Sequence, residues 1–116
     1  MTAASELQTL MDRYVVAYRA ADPAACAAVF TEDAQLFSPF APGARGRAAI
    51  ETLHADWTRD AGGDKVMTVL SAEISGDMAW CLAAFCEGAD ETGTSLNVLV
   101  RQSDGTWLIH MCSLNV

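Results

Sequence analysis

From Lys65 to Asn115 the sequence is cut into four strand-like runs by short polar breaks, and that pattern constrains the fold most. Lys65 to Ile74 alternates in character, Ser75-Gly76-Asp77 turns the chain, and Met78 to Ala89 makes a long second run. Asp90 to Gly93 turns it again, Thr94 to Gln102 follows, and Ser103-Asp104-Gly105 leads into Thr106 to Asn115. Glycine beside Asp or Ser between apolar runs marks tight hairpins, so these runs are expected to form an antiparallel meander.

The first half reads differently. Ser5 with Gln8 three residues on makes a capping box, and Leu7, Met11, Tyr14 and Tyr18 follow at helical spacing. Asp22-Pro23 starts a short alanine-rich helix through Phe30, which Thr31-Glu32-Asp33 ends. Ala34 to Ser38 reads as a short strand, and Pro39, Pro42 and Gly43 hold an irregular loop. A third helix runs from about Arg47 to Arg59, with Ile50, Leu53, His54 and Trp57 on one face and Gly62-Gly63 after it. At 116 residues the chain is one domain, and helices early with a meander late predict an α+β fold.

In the last strand both Trp107/Ile109/Met111 and Leu108/His110/Cys112/Leu114 are largely apolar, so alternation does not say which set points inward. A sheet apolar on both faces needs cover on both. The helices supply one cover, and a second copy of the chain is expected to supply the other, giving a homodimer.

Charge and cysteine content narrow the function classes. Lys and Arg total 7 against 15 Asp and Glu, a formal charge of −8 that would repel a phosphate backbone. Arg45 and Arg47 are the only close basic pair, so nucleic acid is not an expected partner. The longest stretch without an ionised side chain, Gly105 to Val116, falls short of the roughly 20 apolar residues of a spanning helix. No membrane partner is expected. Met1 to Arg13 holds neither an early basic cluster nor a signal-peptide apolar run, so a cytoplasmic location is expected. Cys26, Cys81, Cys86 and Cys112 form no C-x-x-C pair or metal-ligand spacing and read as small buried hydrophobes. With no glycine-rich phosphate loop, nucleophile elbow or metal triad in the chain, no cofactor or metal is expected.

Three stretches then carry a resemblance. Met11-Asp12-Arg13-Tyr14-Val15-Val16, Ala20-Ala21-Asp22 and Phe30-Thr31-Glu32-Asp33-Ala34 resemble the opening of ketosteroid isomerases, and Ser38-Pro39-Phe40 and Gly46-Arg47-x-x-Ile50 continue the match. The chain thus resembles the ketosteroid isomerase-like and SnoaL-like members of the nuclear transport factor 2-like superfamily, from about Ser5 to Asn115. The resemblance implies a cone-shaped, cystatin-like fold: three helices wrapped by a curved antiparallel sheet around a mostly apolar pocket. Its shared motifs identify fold better than function.

Residue by residue, the resemblance implies more. In ketosteroid isomerases a first-helix tyrosine donates to the developing dienolate oxygen, and Tyr14 falls there. A protonated aspartic acid on a later strand is the second donor, and Asn97 takes its place. The family's general base, an aspartate just before a proline, is here Ser38, a hydroxyl that cannot remove a carbon-bound proton unaided. His54 stands where some members have a tyrosine bonded to the oxyanion-hole tyrosine. Register against the family puts Leu108, His110, Cys112 and Leu114, and likewise Met78, Trp80, Leu82 and Ala84, on the pocket face. Tyr18 and Trp57 join the wall, no Asp or Glu falls on an inward position, and His110 would be the titrating group inside.

Each residue also has a plainer reading. Tyr14 can line the pocket or the core without chemistry, Asn97 can make a structural hydrogen bond, and His110 can be a satisfied strand histidine. Two functions therefore stay open. One is an isomerase or cyclase acting on a carbonyl compound, with Tyr14 and Asn97 polarising the oxygen and His110 or water accepting the proton. The other is a module that binds a small apolar molecule, or dimerises, without turnover.

Overall fold

The computed structural model describes residues 2–61, 63–88 and 91–116. The expected helix stop at Gly62, strand end at Ala89 and turn residue Asp90 lie outside the described residues. Helices α1 (Ala3–Arg19), α2 (Pro23–Ala27) and α3 (Arg47–Thr58) join strands β1 (Phe30–Phe37), β2 (Ala44–Arg45), β3 (Val66–Ser75), β4 (Met78–Glu87), β5 (Glu91–Arg101) and β6 (Trp107–Asn115). The strands form one sheet in the order β2-β1-β6-β5-β4-β3, antiparallel except where β1 lies parallel to β6. This is the expected α+β architecture with one added strand, β2. Among the described residues no helix is long and apolar enough to cross a membrane.

Local chemistry sets each helix. α1 starts three residues earlier than Ser5 as a cap would suggest: Thr2 is the N-cap, and Ser5 is its reciprocal capping partner. Gln8 is thereby released for another task. Its amide donates to the Met67 carbonyl at 3.0 Å and accepts from the Val69 N–H at 2.8 Å, tying α1 to β3. Leu7, Leu10, Met11, Tyr14, Ala17 and Tyr18 make the buried stripe of α1, at the spacing that keeps side chains on one helix face. Asp22 caps α2 through the Ala25 N–H, with Pro23 at its first position. α3 begins at Gly46, whose φ of +88° favours glycine, and buries Ile50, His54 and Thr58 on the helix ridge facing the sheet.

The strands set the parity of the sheet. On β4 the small residues Ala79, Cys81 and Ala83, with Phe85, point to the helices, and Ser95, Asn97 and Leu99 do so on β5. Met78, Trp80 and Leu82 therefore face outward, which reverses the expected assignment for that strand. Both sets are apolar; the smaller one faces the buried interior, while α1 packs closely against the neighbouring β3. On β6 a bulge opposes Val98 to Met111 and Leu99 to Ile109, leaving His110 without a cross-strand partner. Inward residues are accordingly Trp107 and Ile109 before the bulge and Cys112 after it. A second bulge leaves Leu70 unpaired on β3. All four cysteines are free thiols, with Cys26, Cys81 and Cys112 buried.

Candidate functional site

Between the helices and the inner sheet face lies a cavity of about 410 Å³, within the size range of small-molecule sites. Its closed end is made by Tyr14, Phe30, Leu36, Ser95, Asn97 and Cys112, all buried. Its rim carries the exposed Phe40, Asp56, Asp60 and Glu91, with Trp57 and Glu87 partly covered beside them. Phe40, on the loop after β1, meets Trp57 edge-on at 6.3 Å between ring centroids.

Of the residues singled out in the sequence, Tyr14, Tyr18, Asn97, Trp57, Cys112 and Leu114 all line this cavity. His54 stands behind the wall, fully buried, with its ring 5.2 Å from Trp57 and 5.5 Å from Tyr14. Ser38 does not line the cavity. Its hydroxyl accepts from the Phe40 N–H at 3.3 Å in the loop, so that position supplies no base within. Met78, Trp80 and Leu82 face away, as does His110, which the bulge turns to the opposite side of the sheet. There His110 Nδ1 meets the Thr31 hydroxyl at 2.9 Å, with an Asp33 carboxylate oxygen 3.6 Å away. The titrating group expected inside the cone is therefore outside it.

The absence of inward carboxylates is corrected as well. Asp56, Asp60, Glu87 and Glu91 all reach the mouth, and Glu87 accepts a hydrogen bond from Tyr18 at 3.2 Å. They come from helix and strand ends, where alternation no longer assigns a face. Lys65, just before β3, was likewise not anticipated. It is 9 % exposed, lines the cavity, and holds its ammonium 4.0 Å above the Tyr18 ring and 5.1 Å from that of Phe85. Burial lowers its proton affinity, opposed by the charges of Glu87 and Glu91. Ser95 had a usable signal, since it sits two residues before Asn97 and so shares its strand face.

Hydrogen bonding decides what the closed end can offer a ligand. His54 Nδ1 lies 2.8 Å from the Ile50 carbonyl, which can only accept, so Nδ1 carries the ring proton. Nε2 then offers a lone pair, and the Tyr14 hydroxyl, 2.8 Å away, donates to it. Burial holds His54 down at about 4 and raises Tyr14 well above the ordinary phenol value, so the proton stays on tyrosine. Asn97 is similarly committed. Its amide N–H groups are directed to the Ser95 carbonyl at 3.3 Å, the Ser95 hydroxyl at 3.0 Å and the Cys81 sulfur at 3.8 Å. The carbonyl contact fixes the amide orientation, leaving Oδ1 as the atom with free capacity. Tyr14 and Asn97 are thus brought to one cavity, but both present lone pairs there rather than protons. Cys112 beside them is a neutral thiol, pushed up to about 12 by burial.

Comparison with known proteins agrees with this cone. Among solved structures, Rv3472, a protein of unknown function from Mycobacterium tuberculosis, is similar at 26 % identity and a TM-score of 0.83, over 95 % of this chain and 69 % of that one. A ketosteroid isomerase-like protein from Erwinia carotovora superposes with a TM-score of 0.75 at 19 % identity, over 97 % of this chain and 96 % of the other. ActVI-ORFA from Streptomyces coelicolor does so at 0.64 and 23 % identity, over 96 % and 94 %. These last two likenesses show the fold alone. A comparison with curated proteins finds no match. The SnoaL-like domain family matches residues 11–110, from the middle of α1 into β6, and the chain belongs to that family.

Proposed function

We propose that this protein binds a small, neutral, largely apolar molecule in the cone cavity. The observation that carries the reading is the cavity itself: about 410 Å³, closed at one end by buried apolar and aromatic side chains and ringed by four carboxylates. Apolar walls favour an apolar body, and the lone pairs of Tyr14 and Asn97 favour a hydroxyl or N–H over an anion at the closed end. The carboxylate rim and the −8 formal charge of the chain oppose an anionic ligand. The test is a matched pair measured by calorimetry, naphthol against naphthoate. Naphthol is expected to bind at least about tenfold more tightly. Tighter binding of naphthoate would overturn the reading.

The isomerase or cyclase alternative draws support from the meeting of Tyr14 and Asn97 in one cavity. It lacks a base at Ser38 and unoccupied donors for an oxyanion. A β,γ-unsaturated ketosteroid should accordingly be turned over neither by the natural protein nor by Ser38→Asp. Efficient isomerisation by either would restore that alternative.

The outer sheet face belongs to the same proposal. Met78, Val100 and Leu108 form one cross-strand row, and Trp80, Val98 and Met111 the next, which Glu73 on β3 flanks opposite Trp80. A second copy of this chain, presenting the same largely apolar rows, is the proposed cover. Sedimentation should give a dimer that Trp80→Glu converts to monomer; a monomer in the natural protein contradicts it.

A further inference from the structure

Lysine is among the residue types least often buried, and this chain has only one. That one lysine is inside the cavity. Its backbone is held in place by Arg19, whose Nε donates to the Lys65 carbonyl at 2.7 Å. Among the described residues no carboxylate oxygen comes within 4.0 Å of its ammonium and no hydrogen bond is made to it. Aromatic faces of Tyr18 and Phe85 surround it instead. The rings attract the ammonium but do not replace its water, so burial still disfavours the charged form, and that is how a lysine becomes a nucleophile near neutral pH.

We infer that Lys65 condenses reversibly with the carbonyl group of a small, neutral, apolar aldehyde or ketone held in the cavity. The inference rests on the ligand-binding reading above and names the reactive class within it. The amine lone pair attacks the carbonyl carbon, forming the C–N bond, and one proton passes from nitrogen to oxygen to give a neutral carbinolamine. The C–O bond then breaks as the hydroxyl takes up a second proton and leaves as water, and nitrogen loses its remaining proton, so carbonyl plus amine become imine plus water with no oxidation or reduction. These protons exchange with solvent through the mouth, which Glu87 and Glu91 line. Ion pairing of Lys65 with a carboxylate ligand is the competing use. The acidic mouth opposes it, since an anion must pass Asp56, Asp60, Glu87 and Glu91 whereas a neutral carbonyl compound meets no such repulsion.

The experiment incubates the intact protein with naphthaldehyde and sodium cyanoborohydride, a hydride donor that reduces an imine to a stable secondary amine. Peptide mapping by mass spectrometry then locates the label. With a single lysine, only Lys65 and the chain's terminal amine compete. Label on Lys65 is expected to exceed that on the terminal amine at least about tenfold. Excess naphthalene, which fills the same space without condensing, should suppress it. Lys65→Arg should abolish labelling of the peptide that holds position 65 and leave that of the terminal amine unchanged. Binding of naphthalene to the natural protein is followed by ligand-detected NMR. Binding of naphthalene with no preference for Lys65 overturns this inference and leaves the ligand-binding reading standing. Absence of both binding and Lys65 label overturns the two together.

Discussion

The two ends of the cavity are built on opposite electrostatic plans. At the closed end, Tyr14, His54, Asn97 and Ser95 are polar, neutral and bonded to one another or to backbone. At the mouth, Lys65 and the carboxylates of Glu87, Glu91, Asp56 and Asp60 are ionisable groups brought near apolar walls. The difference teaches where recognition and chemistry can occur. A closed end whose protons are committed reads shape and hydrogen-bond direction. The Lys65 amine, buried behind the carboxylates of the mouth, is the group to which the proposed chemistry is assigned.

The largest effect should come from forcing charge into the neutral end. His54 has a folded value of about 4 against an ordinary 6.5, so the unfolded chain binds more protons between those limits. Its contribution is complete above about pH 6.5 and is lost as pH falls toward 4, on the order of 3 kcal/mol in all. Urea unfolding across that range should show the loss, and His54→Leu should remove that part of the pH dependence. A dependence identical in both proteins would contradict it.

Next in size is the neutral chain of bonds itself. His54→Leu leaves the Tyr14 hydroxyl and Ile50 carbonyl without their partner and should cost about 2 kcal/mol at neutral pH. Adding Tyr14→Phe should then cost less than it does alone, a coupling visible in a double-mutant cycle. Strict additivity would mean the bond is not made. The mouth should answer in the opposite direction. Lys65→Met keeps the length, removes a desolvated charge, and should stabilise the fold by about 1 kcal/mol. A loss of stability would show that the ammonium is satisfied in place. Smallest is His110→Ala, on the far side of the sheet, which should change stability by under about 0.5 kcal/mol and leave naphthol affinity unchanged.

The sequence carried the fold well because its turns and helix starts are local chemistry. Asp22-Pro23 and Ser103-Asp104-Gly105 act within a few residues, and the start of α2 and the β5–β6 turn are where they were expected. By contrast, α2 stops at Ala27 rather than Phe30, and Thr31-Glu32-Asp33 belong to β1, which begins at Phe30 instead of Ala34. The face each strand turns inward was harder to see. β4 is apolar on both sides, so alternation gave no preference between Ala79/Cys81/Ala83 and Met78/Trp80/Leu82. His110 was assigned inward because a bulge adds a residue without any mark in composition. The meeting of Tyr14 with Asn97 and Trp57 followed from the resemblance. The direction of their protons did not, since it depends on the Ile50 and Ser95 carbonyls, which every residue possesses. Lys65 could have been flagged by its solitude among seven cations, but its burial is set by tertiary packing.

The most direct test of this division is the tautomer of His54. Heteronuclear NMR of the imidazole nitrogens distinguishes a protonated Nδ1 from a protonated Nε2. The account predicts a neutral ring with its proton on Nδ1 at pH 7, leaving Nε2 to accept from Tyr14. A proton on Nε2 would turn the Tyr14 hydroxyl back toward the cavity as a donor and contradict the account.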